Sequence, residues 1–399
     1  MLKQALAIAV LLCTAAGGVQ AKEVKTRNIP VTQTVSPELQ KLIGAKDPGW
    51  WNTHPKTTKE WKKWVAGLAA QTAAIIPPLR EKLGVTSEEG TMAGVKIYTL
   101  TPKTIADQNK DRILLNLHGG GYVLNPGVAG TLESVYMAGF GGMKVVCADY
   151  RMPPDYPYPA AMDDAMAVYR ELLKTYPPEK IGVFGTSTGG GMTLALVLRC
   201  KKEGLPLPGA IAPGTPWSDL TRTGDSYFTN DHVDNILVSY EGWLKSAAKV
   251  YANGHDLKDP MLSPIYGDMS GFPPALLTSG TRDLFLSNTV RAHLKLLEAG
   301  CDASLIVFEG MSHAEYHMVP DAPETAFHFR QVAKFFEKHL KSNRQKYCGG
   351  RYTGTARKDP GPGQDYLPRA LFSVFSQKGT GLLTKEALRA FWEYIENTA

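Results

Sequence analysis

Ile181-Gly182-Val183-Phe184-Gly185-Thr186-Ser187-Thr188-Gly189-Gly190 is the stretch that decides the reading of this chain. Ile181 to Phe184 reads as a short buried strand, and Met192 to Leu198 as a helix. Between them stands a serine with glycine two residues before it and two after. On a sharp strand-to-helix turn a Cβ at either place would clash, so glycine is required there. The turn pushes the serine out at the top of a sheet, beside the positive end of the following helix. A bare G-x-S-x-G recurs by chance; the strand–turn–helix setting makes it specific. Ser187 is therefore the candidate nucleophile.

Outward from this turn, apolar runs alternate with helix-length amphipathic stretches. Val95 to Tyr98, Ile113 to Leu117, Val145 to Ala148, Ala275 to Leu277 and Leu305 to Phe308 read as strands. Ala160 to Leu173 and about Asn288 to Glu298 read as helices. Strands this short and this uniformly apolar belong to a sheet covered on both faces. The alternation predicts an α/β fold with a mostly parallel central sheet flanked by helices. Residues 22–90 hold no clear strand. Trp61, Trp64 and Leu68 there share one helical face, either packed on the core or roofing a pocket.

A serine nucleophile needs a base, and the base needs an acid to orient it. Asp283 follows the strand that starts at Ala275, and His313 follows the strand ending at Phe308. Both sit just past a strand's carboxyl end, where such sheets collect functional groups, and the chain order is serine, acid, histidine. His232, His255, His293 and His317 are rivals, but none follows a strand so directly. His118-Gly119-Gly120-Gly121-Tyr122 follows the strand ending at Leu117. Glycines there let backbone N–H groups approach the oxyanion of an acyl-transfer intermediate, and the N–H of Thr188 supplies a further donor. His118, at the strand end, reads as a residue that holds the loop.

With these motifs stand Asp149-Tyr150-Arg151-Met152-Pro153-Pro154, Pro157-Tyr158-Pro159-Ala160-Ala161, Pro216-Trp217-Ser218-Asp219-Leu220, Ser263-Pro264 and Pro273-Pro274-Ala275-Leu276. In this order they resemble the hormone-sensitive-lipase-like branch of the α/β-hydrolases, the bacterial esterases with an HGGG loop, from about Tyr98 to Leu340. The resemblance implies an α/β-hydrolase fold with a helical cap, built from the segment 22–90 and an insertion at about 220–258 of a catalytic domain 91–343. It implies a carboxylic ester hydrolase of short to medium acyl esters that uses no cofactor and no metal. Ser187, Asp283 and His313 would be catalytic, with Gly120, Gly121 and Thr188 donating to the oxyanion. Two positions depart from the family pattern. Thr188 stands where a small residue is usual, which would narrow the acyl pocket or place a hydroxyl beside the reaction. Ser287-Asn288 replaces the usual acid beyond the aspartate. An amidase, a lactonase or a polysaccharide deacetylase would use the same triad, and a binding protein on a retired hydrolase fold is the remaining alternative.

The 399 residues carry a net charge of +6, with 43% hydrophobic and 21% charged residues. This is an ordinary globular composition, and it makes no case for nucleic acid; the partner that the resemblance implies is a small-molecule ester. Lys3, the apolar run Ala5 to Ala16 and Val19-Gln20-Ala21 read as an export signal over residues 1–21, which predicts a periplasmic or secreted protein. No segment is long and apolar enough to span a membrane, which takes about 20 residues. Removing the signal leaves Cys147, Cys200, Cys301 and Cys348, at spacings that fit no metal site and leave any pairing open. Residues 344–399 form an extension of unassigned role, with a last helix after Thr384. The oligomeric state stays open, a homodimer among the options.

Overall fold

A computed structural model of the chain describes residue 26 and residues 28–341. The expected signal over residues 1–21, Cys348 and the extension 344–399 lie outside them. The described elements run α1 (Pro37–Ile43), α2 (Thr58–Leu83), β1 (Val85–Met92), β2 (Val95–Pro102), β3 (Ile113–Leu117), α3 (Leu132–Gly141), β4 (Val145–Ala148), α4 (Ala160–Leu173), β5 (Ile181–Thr186) and α5 (Thr188–Glu203). They continue with β6 (Ala210–Gly214), α6 (Ser226–Thr229), α7 (Trp243–Ala252), β7 (Ala275–Gly280), α8 (Leu286–Glu298), β8 (Ala303–Phe308) and α9 (Pro323–His339).

The strands form one sheet in the order β1-β2-β4-β3-β5-β6-β7-β8. β1 and β2, and β2 and β4, pair antiparallel; all other neighbours are parallel. The sheet is covered as its strand composition requires. Period-two alternation sends Ile113, Leu115 and Leu117 to one face, in the same core cluster as Ala165 and Leu196 of α4 and α5. Leu114, Val145, Cys147 and Phe184 go to the other face, against Tyr136 of α3 and Phe329 and Phe336 of α9. Cys147 is thus a buried core residue, and no disulfide joins Cys147, Cys200 and Cys301 among the described residues.

Two strands escape the sequence reading. β1 occupies 85–92, at the end of the segment expected to hold no strand. Its sequence Val-Thr-Ser-Glu-Glu-Gly-Thr-Met is polar because the sheet's outer edge leaves it half-exposed. Pairing makes it a strand: Ala93 (φ 49) and Gly94 (φ 83) turn the chain straight into β2. β6, Ala-Ile-Ala-Pro-Gly, is buried throughout. Its Pro213 and Gly214 read as turn residues, and its ladder to β7 is sparse, Ile211 opposite Ala275 and Gly214 opposite Thr278.

α2 starts in a reciprocal cap. Thr57 Oγ1 accepts the N–H of Glu60 at 3.2 Å, and the Glu60 carboxylate accepts that of Thr57 at 3.3 Å. It ends at Gly84 in the left-handed conformation, φ 64. Trp61 is buried, and its ring meets Trp64 edge-on at 5.7 Å, which in turn meets Trp243 at 5.8 Å. Further along α2, Leu68, Thr72 and Ile75 line the cavity described below. One helix therefore packs on the core and also walls a pocket, the two options left open by its sequence.

Candidate active site

The parallel strands bring the three candidate residues to one edge. Ser187 follows β5, Asp283 follows β7 and His313 follows β8, all at carboxyl ends of parallel strands, with β6 between β5 and β7. Ser187 has φ 63, a conformation costing on the order of 1–3 kcal/mol for a residue with a Cβ. The turn is held by its surroundings: Ser187 N–H donates to Gly214 O at 2.9 Å, and Ser187 O accepts from Trp217 N at 2.9 Å and Gly191 N at 3.0 Å. Glycine at 189 is a matter of approach. A Cβ there would lie 1.8 Å from Leu117 O, on the neighbouring strand.

His313 and Asp283 are joined as the reading requires, with Nδ1 of the imidazole 3.0 Å from Asp283 Oδ1. Asp283 is fully buried. Its Oδ1 also accepts the N–H of Phe285 at 2.8 Å, and its Oδ2 accepts the hydroxyls of Ser279, at 2.7 Å, and Thr215. His313 is 3% exposed, with the Phe285 ring edge-on at 4.8 Å. Its Nε2 finds no hydrogen-bond partner among the described residues. His313 and Ser187 line the same cavity.

His118 takes the loop-holding role. Its Nδ1 lies 2.9 Å from Gly119 O, its ring stacks on Tyr150 at 4.2 Å, and Tyr150 OH donates to His118 O at 2.6 Å. Burial holds its imidazole below the usual histidine range, which keeps it neutral. Gly120 O accepts Val123 N and Leu124 N at 3.1 and 2.7 Å. The N–H groups of Gly120 and Gly121 find no acceptor among the described residues. That of Thr188 belongs to the first turn of α5, which has no intrahelical acceptor. Gly119 and Gly120 line the cavity. The Thr188 side chain is fully buried.

Gly121 has φ 64, and a Cβ there would meet Trp243 Cζ3 at 2.4 Å. Gly121→Ala must push the loop off Trp243 or strain it. We expect kcat to fall about 10²–10³-fold, the usual loss when an oxyanion donor is misplaced. Steady-state kinetics beside a melting curve check this.

Sequence reasoning missed Thr215, at the end of the unrecognised β6, and Asp234 and Asn230 in the insertion before α7. Asp234 is fully buried; burial first, and the Asp283 charge second, push its carboxyl up to about 6. Nothing in the local pattern marks it, because the two partners that tie it to the site, the N–H groups of Leu284 and His313, are distant in sequence. At the other departure, Ser287 and Ser226 exchange hydrogen bonds, each side chain with the other's N–H at 2.8 Å, and Asn288 Nδ2 donates to Tyr227 OH at 2.9 Å. Neutral groups thus tie the start of α8 to the insertion. Among the rival histidines, His317 lines the cavity, with burial pushing its imidazole down to about 3. His232 packs edge-on to Trp51, and His255 and His293 face backbone carbonyls. None of the four contacts Asp283.

The cavity has a volume of about 460 Å³ and is mainly apolar, walled by Trp50, Leu68, Ile75, Leu124, Leu237 and Trp243. No helix among the described residues is long and apolar enough to cross a membrane. A family model described as "alpha/beta hydrolase fold" matches residues 114–317. An esterase of known crystal structure is 40% identical, with 80% of this chain and 99% of that one covered at a TM-score of 0.78. An esterase from the bacterial hormone-sensitive lipase family is 30% identical, with 77% and 99% covered at a TM-score of 0.68.

The chain belongs to the α/β-hydrolase family, in its hormone-sensitive-lipase-like branch.

Among relatives of this family, an acetyl-hydrolase of Streptomyces hygroscopicus is 33% identical over 53% of this chain and 71% of its own length. An esterase of Acinetobacter venetianus is 30% identical over 55% and 71%. The α/β-hydrolase fold that the resemblance implied is thus the fold observed, with eight strands in the mostly parallel sheet.

Proposed function

We propose that this hydrolase cleaves carboxylic esters of short to medium, apolar acyl groups in two steps through an acyl-enzyme. The observation that carries the reading is the unpartnered Nε2 of His313, buried at the wall of the cavity that holds Ser187, while Asp283 fixes Nδ1. Ser187 Oγ attacks the ester carbonyl and His313 takes its proton. The N–H groups of the glycine loop and of Thr188 hold the oxyanion. The imidazolium returns the proton to the leaving alcohol, and a water activated by His313 then releases the acid and restores Ser187. Asp283 keeps the imidazole in the tautomer that leaves Nε2 free to accept. The relatives named esterase and acetyl-hydrolase support the reaction class, and an apolar cavity of about 460 Å³ suits a ligand of modest size.

A p-nitrophenyl ester series from acetate to palmitate tests the reading. We expect kcat/KM to peak among the short and medium chains and to fall towards palmitate. Equal turnover of palmitate and butyrate would contradict the chain preference. A folded enzyme inert on every ester but active on an amide, a lactone or an acetylated polysaccharide would replace the ester with that substrate.

A further inference from the structure

The insertion before α7 makes a chain of contacts to both triad loops that the reaction scheme leaves unused. Asp234 is fully buried and makes no ion pair with a lysine or arginine among the described residues. Burying a carboxylate is costly unless its oxygens are satisfied. Here all its partners are backbone N–H groups. Oδ1 accepts from Ile236 at 2.8 Å and Leu237 at 2.9 Å, folding the segment on itself. Oδ2 accepts from Leu284 at 2.8 Å and from His313 at 3.2 Å. Leu284 is the residue after the catalytic acid, and the second N–H belongs to the base itself. One carboxylate oxygen thus bridges the two loops whose spacing sets the His313–Asp283 hydrogen bond.

Neighbouring residues repeat the pattern. Asn230 Nδ2 donates to Asp283 O at 2.9 Å, and Asn235 N–H donates to the Ser312 hydroxyl at 3.1 Å. The segment is closed by His232 N–H donating to Val238 O at 2.8 Å, and both residues have positive φ, 56 and 62. For β-branched Val238 that conformation is a true outlier, of the kind that persists only where the surroundings impose it and that collects at functional sites. Ile236 and Leu237, between Asp234 and Val238, line the substrate cavity.

We infer that residues 230–238 are a strap that sets the triad, with Asp234 as its anchoring, positioning residue, and that it links the wall of the acyl cavity to the alignment of His313 and Asp283. The inference rests on the esterase reading above. Asp234 touches no substrate; it acts by holding the Leu284 and His313 peptide groups in register. A substrate seated against Ile236 and Leu237 presses on the element that aligns the base, so occupancy and alignment are coupled through one short segment.

The test uses the full-length enzyme, p-nitrophenyl butyrate, and the variants Asp234→Asn, Asp234→Ala, Asn230→Ala and Asp225→Asn. For the Asp234 variants we expect kcat to drop about 10–100-fold with KM within threefold, the scale of loss when reacting groups are misplaced by a fraction of an ångström to one ångström. The downfield NMR resonance of the proton on His313 Nδ1 shifts or broadens with it. Asp225→Asn, exposed and outside this segment, keeps wild-type kcat. Asn230→Ala removes the clamp on the Asp283 carbonyl without altering the buried carboxylate, and it loses about tenfold in kcat even if the Asp234 variants fail to fold. A folded Asp234 variant with kcat within twofold of wild type and an unchanged resonance overturns the strap. So does wild-type kcat in Asn230→Ala when the Asp234 variants do not fold. Ser187→Ala in the same assay separates the two ideas: if the wild type shows no Ser187-dependent turnover, the esterase reading fails rather than the strap.

Discussion

Ser187→Ala is expected to lower kcat on p-nitrophenyl butyrate by about 10⁵–10⁶-fold, the scale seen when the nucleophile of a serine triad is removed. The residue is placed by its backbone rather than by its side chain. Its N–H is fixed on Gly214 O, its carbonyl receives Gly191 N and Trp217 N, and Thr188 beyond it begins α5. None of these contacts involves Oγ, and the side chain is almost wholly shielded. Alanine keeps the Cβ and the contacts, so the melting temperature should change by no more than a few degrees. The residual rate should lie above that in water, because the glycine loop and the cavity still bind and polarise the ester. A variant that turns over within tenfold of wild type while melting normally would mean that another group carries the reaction.

How far the sequence discloses this site depends on whether a residue's partners are local. The Ser187 turn, the glycine loop and the placement of Asp283 and His313 after strands are local facts: a strand, a turn and one functional residue lie within a dozen positions. The buried strands were legible because a sheet covered on both faces demands uninterrupted apolar runs, as in Ile113–Leu117 and Val145–Ala148. β1 was not, because an edge strand with half-exposed polar residues has no such demand on it. β6 was hidden by Pro213 and Gly214, and Thr215 was hidden with it. Asp234 is the clearest case. It is an aspartate in a polar insertion, and only the fold reveals that the backbone N–H groups of residues 284 and 313 converge on it.

Asp283→Ala is expected to cost about 10⁴-fold in kcat, close to the loss of the acid from a serine triad, whereas Asp283→Asn should cost markedly less. The difference follows from the distribution of partners. Oδ1 faces two N–H donors, His313 Nδ1 and the Phe285 backbone; Oδ2 faces two hydroxyls, those of Thr215 and Ser279. Hydroxyls can turn from donating to accepting. An asparagine therefore settles with its NH₂ on the hydroxyl side and its carbonyl on the His313 side, and the imidazole keeps the proton on Nδ1. Where an aspartate-to-asparagine change forces the wrong tautomer, about 10⁴ is lost; here the tautomer survives and only the charge that supports the imidazolium goes. We expect a loss of about 10²–10³ for asparagine. The change also removes the charge that, after burial, most raises the Asp234 carboxyl. That carboxyl then moves down towards its ordinary value, and the repulsion between two buried carboxylates disappears. The asparagine variant should melt no lower than wild type at pH 8 while turning over more slowly, a trade of activity for stability. The alanine variant should melt lower, since it leaves the Phe285 N–H and two hydroxyls unpaired. Kinetics and melting curves on the two proteins decide the matter: equal kcat losses would mean that the asparagine is held the other way round, with its NH₂ against His313.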